Sequence, residues 1–215
     1  GMTQSKARRE RVLAIARTHG VIVVTDSAYG DLRFTGNSLP PYRRLEGADN
    51  VIHLGSFSKS LAAGLRLGYL IAKDDLLRRM ALIQEVQTIG QPPLLQAVVA
   101  RFLDTGGFRR HLARLRRALK ERRDAMVEAL AEHFPPGTQV SEPKGGMHLW
   151  VVMPEGFSAL DLHRDALQHG IGFAPGPLFF ADGRGTNCLR LNFSTHDPAT
   201  AREAIARLGH LVHRA

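Results

Sequence analysis

The chain has 215 residues, 44% of them hydrophobic, which is enough for one large domain or two small ones with packed cores. Its single cysteine, Cys188, excludes an internal disulfide framework, and the lack of an apolar run near the roughly 20 residues of a membrane span, or of a secretory signal, favours the cytoplasm. The formal net charge is +9, and the arginine-rich stretch at 109–123 predicts a solvated helix face or a contact with an acidic neighbour, with nucleic acid as the alternative.

The amino-terminal half is predicted to alternate helices with short apolar strands. In chain order it contains a helix at 3–19, strands at 21–24, 51–54 and 67–72, and a helical stretch at 74–103 that Pro92 and Pro93 interrupt. Thr3 or Ser5 can cap the first helix, and Gly20 ends it. Wholly apolar runs are typical of strands that are buried on both faces of a parallel sheet. This half therefore predicts an α/β layout.

The carboxyl-terminal half has a different rhythm. Its predicted elements are a long amphipathic helix from the Gly106-Gly107 break to about His133, strands at 147–153, 171–174 and 188–193, and helices near 158–169 and 197–212. Such an order predicts an α+β domain. We therefore divide the chain into residues 1–104, with three parallel-type strands and their helices, and a smaller domain at 105–215.

Polar side chains follow the predicted strands of the first domain. Asp26 and Tyr29 come after the first strand, Ser56 and Lys59 come after the second, and Arg66 precedes the third. Ligands of open α/β sheets bind outside the carboxyl ends of the strands. The sequence therefore predicts that these side chains converge on a ligand site at one edge of the sheet.

This set of side chains suits the chemistry of pyridoxal 5'-phosphate (PLP). The cofactor withdraws electrons only while its pyridine nitrogen is protonated, which a carboxylate such as Asp26 can ensure. Lys59 can hold the aldehyde as a Schiff base and later move the Cα proton, and Tyr29 can hydrogen-bond the ring oxygen. The phosphate needs hydroxyls and a guanidinium, which are supplied by Ser56, Ser58 and Arg66. Taken singly, Asp26 could be a turn cap, Tyr29 a packing residue and Lys59 a solvated surface group.

Three segments carry a family resemblance: D-S-A-Y at 26–29, G-S-F-S-K at 55–59 and G-L-R-L-G-Y at 64–69. In order and spacing they resemble the PLP signature of fold-type I aminotransferases. The resemblance implies the PLP-dependent transferase (aspartate aminotransferase-like) fold, here as a partial large domain with a small α+β domain. It also implies that Asp26 pairs with the pyridine nitrogen, Tyr29 with the ring oxygen and Lys59 with the aldehyde. The phosphate ligands that it implies are Ser56 or Ser58, together with Arg66.

The second half resembles a narrower group. The stretches at 105–117, 143–151, 170–180 and 187–193 are similar to the aminotransferase-like domain of GntR-type regulators of the MocR class. By this resemblance Arg190 clamps the α-carboxylate of a substrate, with a surface strand arginine as the alternative. Trp150 and the pair Phe179-Phe180 are interpreted as packing. The histidines form no metal-binding spacing, so we expect no metal site.

In the family, further residues precede the segment that this chain matches, and Gly1 is either the end of a family turn or a tag remnant. The preceding residues supply a backbone cradle for the phosphate and a ring that stacks on the cofactor. Without them we expect an exposed sheet edge and exposed apolar surface, which a homodimer would cover. We also expect weak turnover, because the pocket is less preorganised.

The leading hypothesis is the PLP-binding effector domain of a GntR/MocR-type transcription regulator, which binds an amino acid or amine. Such a regulator contacts DNA through a winged-helix segment that this chain does not contain. The first alternative is a truncated amino-acid aminotransferase that runs complete half-reactions. The second is an inactive remnant that binds no cofactor. Direct nucleic-acid binding through the basic helix at 109–123 is a weaker alternative, because no aromatic side chains are interleaved with the cations.

Overall fold

A computed structural model describes residues 2–213, which divide into two compact units. We call Gln4–Leu115 the amino-terminal unit and the chain from Arg116 onward the carboxyl-terminal unit. The boundary falls inside a long helix, later than the predicted division at 104/105, because that helix continues without a break beyond the turn at Gly106. Within the described residues, no helix has the length and apolar character needed to cross a membrane.

The amino-terminal unit opens with helix α1, Lys6–Thr18. Ser5 caps this helix, as predicted, because its side chain accepts a hydrogen bond from the Arg8 backbone N–H at 3.3 Å. Leu13 is buried in a small core with Leu45 and Val51, and this contact holds the helix against the chain that follows. The helix therefore depends on both a local cap and tertiary packing.

Three strands form the sheet of this unit: β1 at Val23–Asp26, β2 at Val51–Ser56 and β3 at Gly68–Ile71, in the order β1-β2-β3. β1 and β2 are parallel, as predicted, whereas β2 and β3 are antiparallel. The prediction of three parallel-type strands is therefore wrong for the third. The physical reason is the connection, residues 57–67, because a parallel crossover takes about a dozen or more residues, usually with a helix.

The apolar runs of this sheet are less buried than predicted. The first residues of β2 are buried, but Val24 in the middle of β1 is 58% exposed and Ile71 of β3 is 45% exposed. Among the described residues, β1 and β3 each pair on one side only. The predicted exposure of a sheet edge and of apolar surface is therefore confirmed for this unit.

A close contact between Gly55 and Tyr69 joins β2 to β3. The two residues are opposite each other in the antiparallel register, and the tyrosine ring lies directly on the glycine. A Cβ atom added at Gly55 would lie 2.1 Å from the ring Cζ of Tyr69, which is far inside van der Waals contact. Phe57 packs against the same ring at a centroid distance of 5.7 Å. Burial, together with the charge of Asp31, raises the pKa of Tyr69.

Two helices follow β3: α2 at Asp74–Thr88 and α3 at Pro93–Asp104. The break near Pro92 and Pro93 was predicted, and Pro93 begins α3, where its missing N–H would have no helical partner in any case. No residue of α2 is buried, although the helix carries large apolar side chains such as Leu82 and Val86. An amphipathic helix of this length normally needs a packing partner to be stable in water.

Helix α4, Gly107–His133, leads into the carboxyl-terminal unit, as the sequence predicted. The later elements are β4 at Gln139–Val140, β5 at His148–Val152, α5 at Ala159–Gln168, β6 at Ala174–Pro175, β7 at Cys188–Asn192 and α6 at Pro198–Val212. The strands form one antiparallel sheet in the order β4-β5-β7-β6. The two-residue strand β4 was not predicted, because it is too short to show a pattern. The strand predicted at 171–174 is mostly absent, because the Ile171 N–H bonds to Ala166 at the end of α5 instead.

The two central strands of this sheet separate core from surface by simple alternation. Leu149, Val151, Leu189 and Leu191 are buried, with the first three fully inaccessible to solvent. Trp150 and Arg190 lie between them in sequence and are only partly buried. Because side chains alternate across a strand, these two residues share the opposite face of the sheet.

We predict that Gly55→Ala lowers the free energy of unfolding by roughly 1–3 kcal/mol, because the new methyl group must displace the Tyr69 ring or part the strands. Gly64→Ala is the matched control, since a Cβ there meets no atom within 4 Å. Urea unfolding followed by circular dichroism measures both. Equal unfolding midpoints for the wild-type protein and Gly55→Ala would contradict the tight contact.

The cap of α6 makes a second prediction. Hydrogen bonds from the backbone N–H of Thr200, from its hydroxyl and from the Ala199 N–H lower the pKa of Asp197 from its usual 3.8. A depressed pKa in the folded state gives stability that is present above the unfolded value and is lost as the pH falls through the folded value. Below about pH 4, we therefore expect the wild-type protein to lose stability more steeply than Asp197→Asn, which keeps an oxygen cap but does not titrate. Urea midpoints measured across this range test the prediction, and parallel pH profiles would refute it. Asp197→Ala, which loses the cap itself, should already be less stable at neutral pH.

Candidate active site

The predicted site residues of the amino-terminal unit meet at one edge of its sheet. Asp26 ends β1 opposite Leu54, and Ser56 ends β2 opposite Gly68, where β3 begins. The parallel pairing of β1 and β2 places their two carboxyl ends together. The antiparallel direction of β3 brings its start, and with it Arg66, to the same edge. A parallel β3 would have begun at the far edge.

The loop after β1 is a tight turn built around Asp26. One carboxylate oxygen, Oδ1, accepts a hydrogen bond from the Ala28 N–H at 3.1 Å, while the Ser27 N–H donates to the Leu54 carbonyl at 2.9 Å. Asp26 therefore acts as a turn cap, the alternative role, through one of its two carboxylate oxygens. The other oxygen, Oδ2, has no hydrogen-bond partner within residues 2–213 and faces an exposed position. Tyr29, in the same turn, is 43% exposed.

The turn after β2 holds the serines and Lys59. The Ser58 N–H donates to Ser56 Oγ at 3.1 Å, and the Ser60 hydroxyl donates to the Ser56 carbonyl at 3.3 Å. Because Ser56 Oγ acts as an acceptor in this turn, its own proton stays available for an anion. Lys59 is exposed and forms no ion pair with another described residue. The turn therefore presents the Lys59 amine and the hydroxyls of Ser56 and Ser58 at the sheet edge, whereas Ser60 is buried.

Arg66 has a strained backbone at the same edge. Its φ of 50° is in the left-handed region, which costs a residue with a side chain roughly 1–3 kcal/mol. The residue also lines a cavity of about 1000 Å³, whose other walls include Phe57, Tyr69 and the apolar sides of α2 and α3. A strained, exposed arginine beside a cavity is typical of a functional position.

Two neighbours of this edge, Tyr69 and His53, are not among the site residues that the sequence predicts. Tyr69 ends the motif at 64–69 and has no predicted role, although its ring packs directly against Gly55. His53, one of the histidines without a metal-binding spacing, is buried in β2 with its Nδ1 3.3 Å from Thr25 Oγ1. The sequence signal for this contact is Gly55 itself, because a glycine inside a strand often marks the close approach of another group. Within the part of the chain that the structure describes, no three His, Cys, Asp or Glu side chains are grouped as metal ligands.

Arg190 belongs to the carboxyl-terminal unit. It lies in the middle of β7, between Trp150 on β5 and Ala174 on β6. The Cζ atom of its guanidinium is 4.5 Å from the centre of the Phe179 ring. The side chain of Arg190 forms no hydrogen bond or ion pair with the other residues that the structure describes. Its in-plane donors are therefore available to an anionic ligand.

The donor set at the sheet edge fits PLP in its chemistry. A carboxylate with a free oxygen suits a pyridinium N–H, an amine suits an aldehyde, and hydroxyls with a guanidinium suit a phosphate. These groups belong to Asp26, Lys59, Ser56 and Arg66, which the topology places together. Asp26, Lys59 and Arg66 are exposed and Ser56 is partly buried, so among the described residues the set forms an open edge.

Comparison with known proteins agrees with this chemistry. The family model for aminotransferase class I and II matches residues 1–208. The 2-aminoadipate transaminase of Thermus thermophilus is 38% identical over 215 residues, covering 99% of this chain and 54% of that protein. The HTH-type transcriptional regulator TauR of Rhodobacter capsulatus is 31% identical over 208 residues, covering 95% of this chain and 42% of the regulator.

Solved structures show the same fold. LysN, an α-aminoadipate aminotransferase from T. thermophilus crystallised with N-(5'-phosphopyridoxyl)-L-leucine, superposes with a TM-score of 0.91 at 36% identity. The match covers 100% of this chain and 56% of that one, so the chain spans about half the length of the relatives it matches. The family, fold and cofactor predictions are thus confirmed. The chain belongs to the class I and II aminotransferases, a PLP-dependent family with the fold-type I architecture.

Proposed function

We propose that this chain binds PLP through Lys59 and receives an α-amino acid whose carboxylate pairs with Arg190. The observation that carries the proposal is the grouping of Asp26, Ser56, Lys59 and Arg66 at one sheet edge, each with donors or acceptors available to a ligand. The alternative of a remnant that binds no cofactor does not account for this grouping of complementary side chains at one edge. The 38% identity to a transaminase supports a catalytic role.

Each side chain has a defined task in this proposal. PLP, when bound, supplies an electron sink for the charge that develops at the substrate Cα. Asp26 holds a proton on the pyridine nitrogen through Oδ2, and Tyr29 hydrogen-bonds the ring oxygen. Ser56 or Ser58 donates to the phosphate, which Arg66 neutralises. Lys59 would bind the aldehyde carbon of PLP. Once the substrate amine has displaced it, its free amine would take the proton from the substrate Cα and deliver it to the former aldehyde carbon.

The effector domain of a GntR/MocR-type regulator is the second candidate. Its support is the 31% identity to the regulator TauR and the motifs of the carboxyl-terminal half. In that role the same residues bind PLP and an amino compound, and the bound state is signalled to a winged-helix DNA-binding segment. An in-frame winged-helix coding segment upstream of this domain would support the regulator. Repeated turnovers of amino-group transfer to a 2-oxo acid would support the enzyme.

We predict that the purified protein incubated with PLP gains an absorbance band near the edge of the visible range, and that Lys59→Ala abolishes this band. The physical reason is that, once unbound PLP has been removed, the band requires the bond between the lysine amine and the aldehyde. Lys73→Ala is the matched control, because Lys73 is an exposed lysine of the same unit that pairs with Asp49. A band that survives in Lys59→Ala, or fails to form in the wild-type protein, would refute the proposal.

We further propose a homodimer, because the amino-terminal unit exposes apolar side chains that need cover. Val86 on α2 is 84% exposed, Ile89 directly after α2 is 95% exposed and Leu94 on α3 is 73% exposed, and the two helices have few buried residues. We expect light scattering to report a dimer, and Val86→Glu to shift it toward monomer. Leu160→Glu, a matched change at an exposed leucine of the other unit, should leave the mass unchanged. A monodisperse wild-type monomer would contradict the homodimer.

A further inference from the structure

Arg190 has neighbours on its sheet face that the proposed function does not yet use. Leu189 and Leu191 point into the core, so Arg190 lies on the opposite face, half buried. A half-buried guanidinium without an acidic partner is unusual in a folded protein, because desolvation of the charge is not offset by a carboxylate. The side chain is therefore held by contacts other than an ion pair.

The contact that holds Arg190 is the ring of Phe179. At 4.5 Å from the ring centre, the guanidinium carbon is well within the range of a cation–π interaction. A stacked guanidinium uses its flat face for the ring and keeps its N–H donors at the edge. Those donors form a planar fork that matches the two oxygens of a carboxylate.

Phe179 is in turn braced by Trp150. The two rings are 5.5 Å apart and nearly perpendicular, at 83°, which is a favoured edge-to-face arrangement. The backbone of Trp150 is itself anchored, since its N–H donates to Ser141 Oγ at 2.8 Å and its carbonyl accepts from the Ser141 N–H at 2.8 Å. Trp150 is also the direct cross-strand partner of Arg190. Phe179, which is 43% exposed, therefore contacts both other side chains, and strand pairing places Trp150 beside Arg190.

We propose that Phe179, braced by Trp150, is a positioning residue that holds the edge of the Arg190 guanidinium ready for the substrate carboxylate. The inference rests on the proposed function, because that function supplies a carboxylate as the ligand of Arg190. Arginine side chains lose much rotamer freedom when they are fixed by a ligand. A guanidinium that is already stacked loses less of this freedom on binding and therefore binds more tightly.

The chain offers a direct probe of this cluster, because Trp150 is its only tryptophan. We expect titration of the cofactor-free protein with 4-methylpentanoate to change the tryptophan fluorescence in a saturable manner. The uncharged isostere 4-methylpentanamide has the same size but no negative charge, and it should cause no saturable change. Equal responses to the two compounds, or no response to the carboxylate, would overturn the proposal.

Variants separate positioning from simple packing. Phe179→Leu removes the ring and should weaken carboxylate binding about fivefold, because ordering one freed arginine side chain on binding costs about 1 kcal/mol. Phe179→Tyr keeps the ring and should bind as the wild-type protein does. Phe180→Leu is the matched control, since Phe180 packs against Trp150 at 6.1 Å but its cationic neighbour is Arg184. The proposal fails if Phe179→Leu binds normally, if Phe180→Leu loses affinity equally, or if Phe179→Tyr is as weak as Phe179→Leu.

The fluorescence response to the carboxylate does not depend on whether the protein binds PLP. Lys59→Ala should keep the fluorescence response to 4-methylpentanoate, because Lys59 plays no part in the arginine cluster. If the wild-type protein shows this response but never gains the PLP absorbance band, the proposed function falls while the carboxylate clamp stands. If the band forms but Phe179→Leu leaves carboxylate affinity unchanged, the clamp inference falls alone.

Discussion

The shortness of one connection governs the candidate site. Residues 57–67 join β2 to β3 and are too few for a crossover, so the chain must return antiparallel beside the strand that it has just left. This return places Gly68 opposite Ser56 and brings Arg66 next to the turn that carries Lys59. The same pairing presses Tyr69 onto Gly55, where only a glycine leaves room for the ring. One local constraint thus places the proposed phosphate ligands next to the lysine proposed to bind the aldehyde.

The carboxyl-terminal unit follows a different constraint, the two-residue period of its strands. Alternation buries the leucines and valines of β5 and β7 and leaves Trp150 and Arg190 together on the other face. The side chains that hold Arg190 then come from distant points of the chain. Phe179 lies in the turn after β6, and Trp150 lies on β5. An arginine stacked in this way is ordered before any ligand arrives, which suits the recognition of a planar carboxylate.

The amino-terminal unit combines a well-defined site edge with poorly covered helices. Among the described residues, the outer strands β1 and β3 each pair with a neighbouring strand on one side only, and no residue of α2 is buried. This exposure is consistent with a chain that spans about half the length of its relatives. Exposed apolar helices and open strand edges are features that folded proteins normally cover with another surface.

The sequence by itself determined the family, the cofactor chemistry, and the existence and type of most elements. The paired prolines, the Gly106-Gly107 break and the capping serine are local signals, so they could be read without the fold. The motif around Lys59 could also be identified from the sequence, because its chemistry depends on residue types at short spacing. By contrast, strand direction and burial depend on partners that are remote in sequence. For that reason the sequence pattern predicts a parallel β3 and a buried Val24, whereas β3 is antiparallel and Val24 is exposed.

Only the tertiary structure decided which side chains meet. Strand register placed Tyr69 over Gly55 and Trp150 beside Arg190, and neither pairing leaves a mark within a short stretch of sequence. The contact between Phe179 and Arg190 likewise joins residues in different elements. Local sequence encodes dihedral preferences and apolar periodicity, whereas contacts between separate elements arise only when the whole unit packs.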